Sequence, residues 1–574
     1  MFARRWILSQ ACRIPHAGTR SSGARAIHRF SPLIRDFVGT LRKQQPCFAV
    51  SPERIQILTE PAQFYTKLLS MIETAERRIF ISSLYIGSEE LELIEALRLA
   101  LQRSANLEVV LQLDLNRSTR PGKSSTAHIL LPLLREFPER VHVSLFRSPK
   151  LSGIMARFVP PRFNEGWGTW HAKIYGADND VLISGANLNK SYFTDRRDRY
   201  IHFTSQPDLA DYCSSFLRVV SSFSFSLLPQ QPPESVARYS YHHDDYTLAW
   251  PKANTHPHHI QELAEATFKS FHKSYTDTQS INTQNKTESG GERASNANNV
   301  LLFPLIQAGQ FNVREEEFSL SNLFRHLLAA ASGSAKQSES RRRPLVDLTS
   351  GYFSLYKPYR DLILSGDAFD CRIVAASPKA NGFYGSSGIS GRIPEGYTYL
   401  EQQFIKEVGK AGRNWIGSPG PPVSSEGPKN SDGGEYGSGI LLSEWQKEGW
   451  TYHAKGIWLS PSPACPPVLT LFGSTNLNSR SAHLDTELSF FMALPSSEPS
   501  DCANQSPRPA SADQNSAVDT RRPSVYADSS CAALRMQLEK EIAGLRAHAR
   551  PWEGAKRRVR LGTKAIVKLV GGML

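Results

Sequence analysis

Short apolar runs alternate with amphipathic stretches along the first part of the chain. Strands are predicted at 78–87, 107–115 and 141–148, and helices at 61–77, 89–102 and 128–137. Apolar strands bounded by polar turns and separated by helices are typical of a parallel or mixed sheet covered by helices.

A second part of the chain repeats this order. Strands are predicted at 344–355, 371–377 and 440–445, and a helix at 398–408. SSLYI at 82–86 parallels TSGYF at 349–353. We therefore predict an α/β protein with two pseudo-symmetric halves, each a mixed β-sheet flanked by helices.

Polar stretches rich in Ser, Gly, Asn or Pro separate these parts, and they bury too little apolar surface to fold on their own. The predicted order is a leader at 1–35, a first half at 50–272, a linker at 273–299, a second half at 300–494, a disordered linker at 495–530 and a basic segment at 531–574.

Composition narrows the class of protein. Lys and Arg total 67 against 54 Asp and Glu, so the net charge is +13, which favours nucleic acid, anionic lipid or phosphorylated substrates as partners. Seven cysteines without a CxxC pair argue against a disulfide-stapled fold and a cysteine zinc site. No apolar run reaches about 18 residues, so no membrane-spanning helix is predicted.

The first 35 residues contain seven arginines, and the first acidic residue is Asp36. An Arg-rich, acid-free and Ser-containing N-terminus is typical of a mitochondrial transit peptide. The alternative is a disordered basic tail.

One chemical motif occurs twice. The first copy has His171, Lys173 and Asp178 in the spacing HxKx4D, and the second has His453 and Lys455, with Ser460 in place of the Asp. Each copy continues with a small turn and then an acid eleven residues after the asparagine of that turn. These residues are Asn187 and Asp198 in the first copy, and Asn476 and Glu487 in the second.

The spacing suits phosphoryl chemistry. Residues i and i+2 of a strand face the same side, so His and Lys of each copy enter one pocket together. The lysine neutralises phosphate oxygens, and the histidine attacks phosphorus or moves a proton. The asparagines are expected to donate hydrogen bonds to the phosphoryl group, and Asp198 and Glu487 to orient a histidine. No cluster with metal-ligand spacing accompanies either motif, so neither a metal nor a cofactor is predicted.

The duplicated pattern resembles the phospholipase D superfamily, in which HxKxxxxD and GSxN motifs surround a shared active site. The resemblance covers roughly residues 50–495. The run at 162–168 and the segment 171–200 are similar, within that superfamily, to the mitochondrial CDP-diacylglycerol–glycerol-3-phosphate 3-phosphatidyltransferases. Two departures are Ser460 and the order Ser184-Gly185 in the first copy, where GS is usual.

The resemblance implies an activity. A phosphatidyl group passes from CDP-diacylglycerol to glycerol 3-phosphate with release of CMP, the first committed step toward phosphatidylglycerol and cardiolipin. His171 is expected to form a phosphatidyl-histidine and His453 to act as acid and then base. Arg196 and Arg197, which follow the first motif, are predicted to bind the phosphate of the acceptor.

The same resemblance implies mitochondrial location, peripheral on the inner membrane. The basic segment 531–574 is predicted to contact anionic lipid, with a membrane-surface helix and a frayed basic tail as the two alternatives. No nucleic-acid partner is expected.

Three other functions stay open from the residues alone. They are a phospholipase D-type nuclease or phosphodiesterase that uses water, a CDP-diacylglycerol–serine transferase, and a non-catalytic lipid-binding module. Residues 117–125 are a weak candidate for a nucleotide loop, and the histidines of 242–245 and 256–259 are weak candidates for metal ligands, with solvated surface as the favoured interpretation.

Overall fold

The structure is a computed structural model of the chain. It describes residues 28–121, 125–151, 166–229, 238–288, 298–333, 343–417, 437–496 and 525–570.

Fourteen α-helices lie in these ranges. They are α1 (Arg35–Gln44), α2 (Pro61–Thr74), α3 (Leu91–Arg103), α4 (Leu115–Ser118), α5 (Thr126–Glu136), α6 (Lys190–Thr194), α7 (Pro207–Ser221), α8 (Gln261–Glu288), α9 (Glu315–Gly333), α10 (Lys357–Leu364), α11 (Ile393–Lys410), α12 (Ser479–His483), α13 (Val525–Arg546) and α14 (Leu561–Val570).

The strands of the first half, together with β1, are β1 (Phe48–Val50), β2 (Ile55–Leu58), β3 (Arg78–Ser82), β4 (Glu108–Asp114), β5 (Val141–Phe146), β6 (Ile174–Ala177), β7 (Asp180–Ser184), β8 (Arg196–Arg197), β9 (Tyr200–Phe203), β10 (Phe225–Leu228), β11 (Tyr241–His242) and β12 (Thr247–Ala249). The later strands are β13 (Val300–Ala308), β14 (Val313–Arg314), β15 (Leu345–Ser350), β16 (Asp370–Ala376), β17 (Ile440–Trp445), β18 (Thr451–Tyr452), β19 (Lys455–Ser460), β20 (Leu469–Gly473), β21 (Glu487–Ala493) and β22 (Ala549–Pro551).

Two ten-stranded sheets share one topology. The first runs β11-β12-β10-β5-β4-β3-β6-β7-β9-β2, and the second runs β22-β17-β16-β15-β19-β20-β21-β13-β1, with β14 paired to β13. In each sheet three neighbouring strands are parallel, β3 to β5 in one and β15 to β17 in the other. The flanking pairs are antiparallel in both. This arrangement confirms the predicted α/β fold with two pseudo-symmetric halves.

Local sequence explains why the elements form. Helix α2 begins at Pro61 behind a reciprocal cap between Glu60 and Gln63, and helix α3 buries Leu93, Leu97 and Leu101 on one face. The central strands are buried on both faces, as strands covered by helices or by a second sheet must be.

The two halves pack against each other through apolar faces. Phe472 and Phe490 of the second sheet belong to the same buried cluster as Phe203 of the first. The Phe203 and Phe472 rings stack with their centroids 6.2 Å apart. The two sheets therefore share a packed apolar core. This packing fixes the position of one half relative to the other, and with it any site formed by residues of both halves.

The ends of the chain complete the second half. Strand β1 pairs with β13, and β22 pairs with β17, so the second sheet takes one strand from each side of the predicted 300–494 segment. Phe30 and Ile34 are fully buried in the core of that half. The last residues of the predicted leader are thus part of the folded body, whereas residues 1–27 lie outside the described residues.

Two predicted linkers are shorter in the structure. Helix α8 continues to Glu288, because the polar run after 273 extends an amphipathic helix that buries Phe268 and Phe271. Helix α13 begins at Val525, inside the stretch predicted as disordered, and the remainder of that stretch, 497–524, is outside the described residues. No helix in the part of the chain described here is both long and apolar enough to cross a membrane.

Asp178, predicted to be catalytic, has a structural role instead. It occupies the β6–β7 turn with a φ of 49°, and its carboxylate accepts hydrogen bonds from the backbone N–H groups of Glu76, Arg77 and Arg78 at 2.9–3.1 Å. The four residues of β6 separate it from Lys173, so the two Cα atoms are five extended steps or about 16 Å apart. The HxKx4D spacing therefore places the His-Lys pair and the Asp at opposite ends of one strand.

Replacing Asp178 by Ala should lower the free energy of unfolding by about 2 kcal/mol, because three amides lose a charged acceptor at a partly exposed turn. The turnover number of the folded protein should stay within about threefold of the parent, since an effect on stability alone leaves the chemistry in place. Urea unfolding and steady-state assays measure the two effects. An inactive Asp178→Ala variant with parental stability would contradict this assignment.

Candidate active site

The two motif segments cross from one half to the other. Trp170 forms an isolated parallel bridge with Thr486, and β18 pairs in parallel with β8. The backbone N–H of His171 donates to the carbonyl of Thr486 at 2.9 Å, and that of His453 donates to the carbonyl of Arg197 at 2.8 Å. Each histidine is therefore held beside the residue that precedes the acid of the opposite half.

The side chains follow the same crossing. His171 Nδ1 lies 2.8 Å from Glu487 Oε2, and His453 Nδ1 lies 2.6 Å from Asp198 Oδ2. The side chains of both acids are fully buried, and those of the histidines are 10% and 5% exposed. The structure brings together the acids and histidines predicted from the sequence, and it adds that each pair joins the two halves.

The ionisation of these pairs favours a neutral histidine beside a charged carboxylate. Burial lowers the pKa of His171, although Glu487 opposes this shift. Burial alone would raise the pKa of Glu487, but His171 and Lys173 outweigh it and the pKa falls. The neutral ring donates its Nδ1–H to the carboxylate, which leaves Nε2 with a free lone pair.

His453 and Asp198 form a similar pair, but Nδ1 of His453 lies 2.7 Å from Lys455 Nζ as well as 2.6 Å from Asp198 Oδ2. Burial and Lys455 lower the pKa of His453 well below its usual value. Burial would raise the pKa of Asp198, but Lys455 and His453 overcome that effect and lower it. The Nε2 atom of His453 lies 3.4 Å from the hydroxyl of Tyr192.

Two buried lysines complete the sets. Lys173 Nζ donates to the carbonyl of His171 at 2.6 Å, and Lys455 Nζ donates to that of His453 at 2.6 Å and lies 3.4 Å from Asp198 Oδ2. Burial, together with the positive charge of Lys455, lowers the pKa of Lys173 to about 7. Two ammonium groups that repel each other form a site where an anion is stabilised.

The small turns differ in what they offer. A side chain at Gly185 would come within 2.5 Å of Asp198 Oδ1 and 2.7 Å of Lys455 Nζ, so this position requires glycine. Both polar atoms of the Asn187 amide already make hydrogen bonds within the protein: Oδ1 accepts from the N–H of Leu84, and Nδ2 donates to the hydroxyl of Tyr192. Asn476 Oδ1 is buried with no hydrogen-bond partner among the described residues.

The two predicted acceptor arginines point to different places. Arg196 lies beside the site, with its guanidinium 4.7 Å from the ring centre of Tyr192 and its Nε donating to Thr451 Oγ1 at 2.9 Å. Arg197 turns the other way, because neighbouring residues of a strand face opposite sides, and pairs with Glu60 at 3.3 Å. These contacts favour Arg196 over Arg197, and binding of the acceptor by either arginine stays a prediction.

Several residues of the site carried no motif signal. The rings of Tyr192 and Tyr352 meet the His453 ring edge to face, with centroids 5.2 and 5.5 Å away. Asp485 accepts from the N–H and hydroxyl of Thr169 at 2.8 and 2.9 Å and pairs with Arg480. The recurrence of SSLYI as TSGYF, which contains Tyr352, is the one sequence signal that could have located any of them.

The weaker candidates gain no support. Within the described ranges, the one acid-histidine group with metal-binding spacing is His171, Asp485 and Glu487, whose atoms already hydrogen-bond one another or their neighbours. The histidines at 242–245 and 256–259 form no such group there. Arg117 stacks on Tyr85, and residues 122–124 of the proposed nucleotide loop are outside the described residues. Independence from metal stays a prediction.

Known proteins place this geometry in context. No family model matches the chain. The mitochondrial CDP-diacylglycerol–glycerol-3-phosphate 3-phosphatidyltransferase of Homo sapiens is 34% identical over 470 residues, which cover 80% of this chain and 76% of that protein. The corresponding transferase of Schizosaccharomyces pombe is 35% identical over 467 residues, covering 77% and 85%.

Among solved structures, the phosphatidylserine synthase of Haemophilus influenzae aligns over 94% of this chain and 97% of its own, with a TM-score of 0.57 and 17% identity. At that identity the likeness concerns the fold alone. The extended similarity to the transferases, together with the duplicated His-Lys motifs, identifies the chain as a member of the CDP-diacylglycerol–glycerol-3-phosphate 3-phosphatidyltransferase family, within the phospholipase D superfamily.

Proposed function

We propose that the protein transfers the phosphatidyl group of CDP-diacylglycerol to glycerol 3-phosphate, releasing CMP and forming phosphatidylglycerophosphate. The observation that carries this proposal is the pair of buried His-Lys-acid sets across the interface, in a chain about one-third identical to transferases of that name. Two histidines suit a reaction in two displacements, because one can hold the phosphatidyl group while the other moves the proton.

In the first step, Nε2 of His171 attacks the phosphorus that carries diacylglycerol. A P–N bond forms, the P–O bond to CMP breaks, and Glu487 stabilises the charge that develops on the ring through Nδ1–H. His453 gives a proton to the departing CMP. Burial and Lys455 lower the pKa of His453, and an anionic donor bound between Lys173 and Lys455 would raise it so that the ring can be protonated.

In the second step, His453 removes the proton from a hydroxyl of glycerol 3-phosphate. The oxygen attacks phosphorus, the P–N bond breaks, and His171 returns to its resting form. Asp198 holds His453 in one tautomer through Nδ1, which directs Nε2 toward the reacting oxygens. Lys173 and Lys455 neutralise the phosphoryl oxygens in both steps, and the Nδ2–H of Asn476 is proposed to donate to them.

The acceptor phosphate is proposed to bind Arg196. Among the ion pairs of the described residues none involves Arg196, whereas Arg197, Arg199 and Arg480 each pair with a carboxylate. Arg196 also lies against Tyr192, which contacts His453, so a phosphate on its guanidinium would keep the hydroxyl of the same small molecule near Nε2 of His453.

The location is proposed to be the mitochondrion, peripheral on the inner membrane. The Arg-rich N-terminus and the mitochondrial relatives support it. Because Phe30 is buried, the removable leader is proposed to end before that residue rather than at 35.

Helix α14 is proposed to contact the membrane. It packs on α11 through Thr563 and Val567, and it leaves Leu561 and Leu569 82% and 87% exposed. Lys564 and Lys568 lie on the same helix, which suits a surface that meets anionic lipid.

Labelled CDP-diacylglycerol should give phosphatidylglycerophosphate when glycerol 3-phosphate is present, and neither serine nor water should replace that acceptor. Lipid products are separated and CMP is measured. Phosphatidylserine, or phosphatidic acid as the main product in the presence of glycerol 3-phosphate, would refute the assignment.

Two variants test the roles of the histidines in that assay. His171→Ala should release no CMP, since no other group takes the phosphatidyl unit. His453→Ala should lose about 100- to 10,000-fold in turnover and accumulate an acid-labile lipid adduct on His171. An adduct found on His453 in the parent enzyme would reverse the two roles.

Arg196→Ala should raise the KM for glycerol 3-phosphate by about 10- to 100-fold, because a charged hydrogen bond to the phosphate is worth about 1.5–3 kcal/mol. The KM for CDP-diacylglycerol should change less than threefold. The neighbouring variant Arg197→Ala is the matched control and should leave the acceptor KM unchanged. Equal effects of the two variants on the acceptor KM would show that Arg196 is not the acceptor site.

The double variant Leu561→Ser/Leu569→Ser should weaken binding to vesicles of phosphatidylcholine and phosphatidylglycerol by about tenfold or more, since each leucine loses about 1.5–3 kcal/mol of burial. The exposed leucines of helix α3, Leu91 and Leu99, supply the control pair, because this helix has as many acidic as basic residues. Flotation measures binding, and a water-soluble short-chain donor checks that activity is kept. Equal binding by both double variants would remove α14 from the membrane surface.

A further inference from the structure

Asp198, the acid that holds His453, is followed by an arginine whose guanidinium binds Glu541. Arg199 is 2% exposed, and its backbone N–H donates to Asp198 Oδ1 at 2.9 Å. Since Asp198 Oδ2 holds His453, the two oxygens of this carboxylate are fixed from opposite sides, one by the histidine and one by the backbone of Arg199. Any shift of Arg199 therefore moves the acid that orients His453.

The guanidinium of Arg199 is enclosed completely. Nε and Nη2 donate to the two carboxylate oxygens of Glu541 at 2.8 and 2.9 Å, and Nη1 donates to the carbonyl of Leu471 at 2.9 Å. Its plane lies 3.8 Å from the ring centre of Trp458, whose Nε1–H donates to Glu541 at 3.0 Å. We name Arg199, Glu541 and Trp458 the Arg199 latch.

The motif itself is adapted to this arrangement. Gly456, which directly follows Lys455, has a φ of 144°, and a side chain there would overlap Nη1 of Arg199. The first copy of the motif has Ile174 at the equivalent position, and the acid that its histidine binds, Glu487, is followed by Leu488 and not by an arginine. The difference between HAKG and HAKI thus makes room for the latch in one copy only.

Glu541 comes from helix α13, which follows both copies of the motif in the chain. Helix α13 buries Leu534, Leu538 and Ile542 in the core shared by the two halves. It lies against β2 of the first half, and its Arg535 donates to the carbonyls of Pro466 and Pro467 in the second. The helix therefore packs against both halves and spans the interface between them.

We infer that α13 positions the active site through this latch, with Glu541 acting on Asp198 and His453 by way of Arg199. The inference rests on the proposed function only in assigning proton transfer to His453. A buried bidentate ion pair loses its charge balance when one partner is neutralised, so Arg199 would be left as an uncompensated buried cation and would move. The carboxylate of Glu541 is held by Arg199 and Trp458, and among the described residues it makes no hydrogen bond to either histidine, which makes it a positioning residue.

The test is a double-mutant cycle on turnover. Glu541→Gln should lower kcat by about 10- to 100-fold, with the KM of both substrates within about threefold, because displacement of a general base by a fraction of an ångström has effects of that size. In an Asp198→Asn background the same change should cost less than about twofold, since its route of action is already removed. Glu541→Asp keeps the charge and should recover part of the loss.

Glu444→Gln is the matched control. Glu444 lies on β17, and its buried carboxylate forms a bidentate ion pair with Arg557. Among the described residues it contacts neither of the two histidines nor Asp198 or Glu487. The control should lower the thermal midpoint without lowering kcat. If Glu541→Gln does not fold, the cycle is measured with Glu541→Asp, for which a smaller loss of the same kind is expected.

Three results would overturn the latch. They are parental kcat in the folded Glu541 variants, losses that multiply with Asp198→Asn, and an equal loss of kcat in Glu444→Gln. A parent enzyme that makes no phosphatidyl product would instead refute the proposed function, so the two failures are distinguishable.

Discussion

Each histidine of the duplicated motif is hydrogen-bonded to a carboxylate from the opposite half of the chain. Glu487 holds His171, and Asp198 holds His453, at 2.8 and 2.6 Å. Backbone hydrogen bonds from the same histidines to the residues before those acids repeat the crossing. Neither half therefore contains a complete catalytic set, and the site exists only when the two sheets are packed against each other.

This crossing also sets the electrostatics of the site. It buries two carboxylates, two imidazoles and two lysines in one region, where an unpaired charge would be costly. The result is a neutral histidine beside an ionised acid in both pairs, with Lys173 close to losing its proton. Anionic donor and acceptor groups relieve the repulsion between the lysines, which explains how one site attracts two negatively charged substrates in succession.

Much of this could be predicted from the sequence, because the motif and its repeat are local patterns. The spacing of His171 and Lys173 predicts two side chains on one face, and the second copy predicts a second such face. The crossing of Glu487 and Asp198 depends on how the halves pack, which no local pattern encodes. The error on Asp178 has a similar cause. Asp178 follows Lys173 closely in the sequence, but the residues between them form an extended strand, which places the two side chains at its opposite ends.

The errors at the boundaries have a different physical origin. Polar composition predicts linkers at both places. The polar residues after 273, however, continue helix α8, which is already packed in the core through Phe268 and Phe271. Helix α13 likewise begins at Val525, although its first buried apolar residues come several positions later. Arg196 and Arg197 are adjacent in the sequence, which suggests that they act together. On strand β8, however, neighbouring side chains point to opposite faces, so the two arginines lie in different surroundings. Glu541 is 342 residues from Arg199, so only the fold reveals their contact.

The crossed pairing is tested most directly by the ring nitrogen resonances of the two histidines. In protein labelled with 15N-histidine, with His171 and His453 assigned through single His→Gln variants, Glu487→Gln should shift the Nδ1 signal of His171 and leave that of His453 in place. Asp198→Asn should do the reverse. A Glu487→Gln spectrum in which His453 shifts while His171 does not would contradict the account.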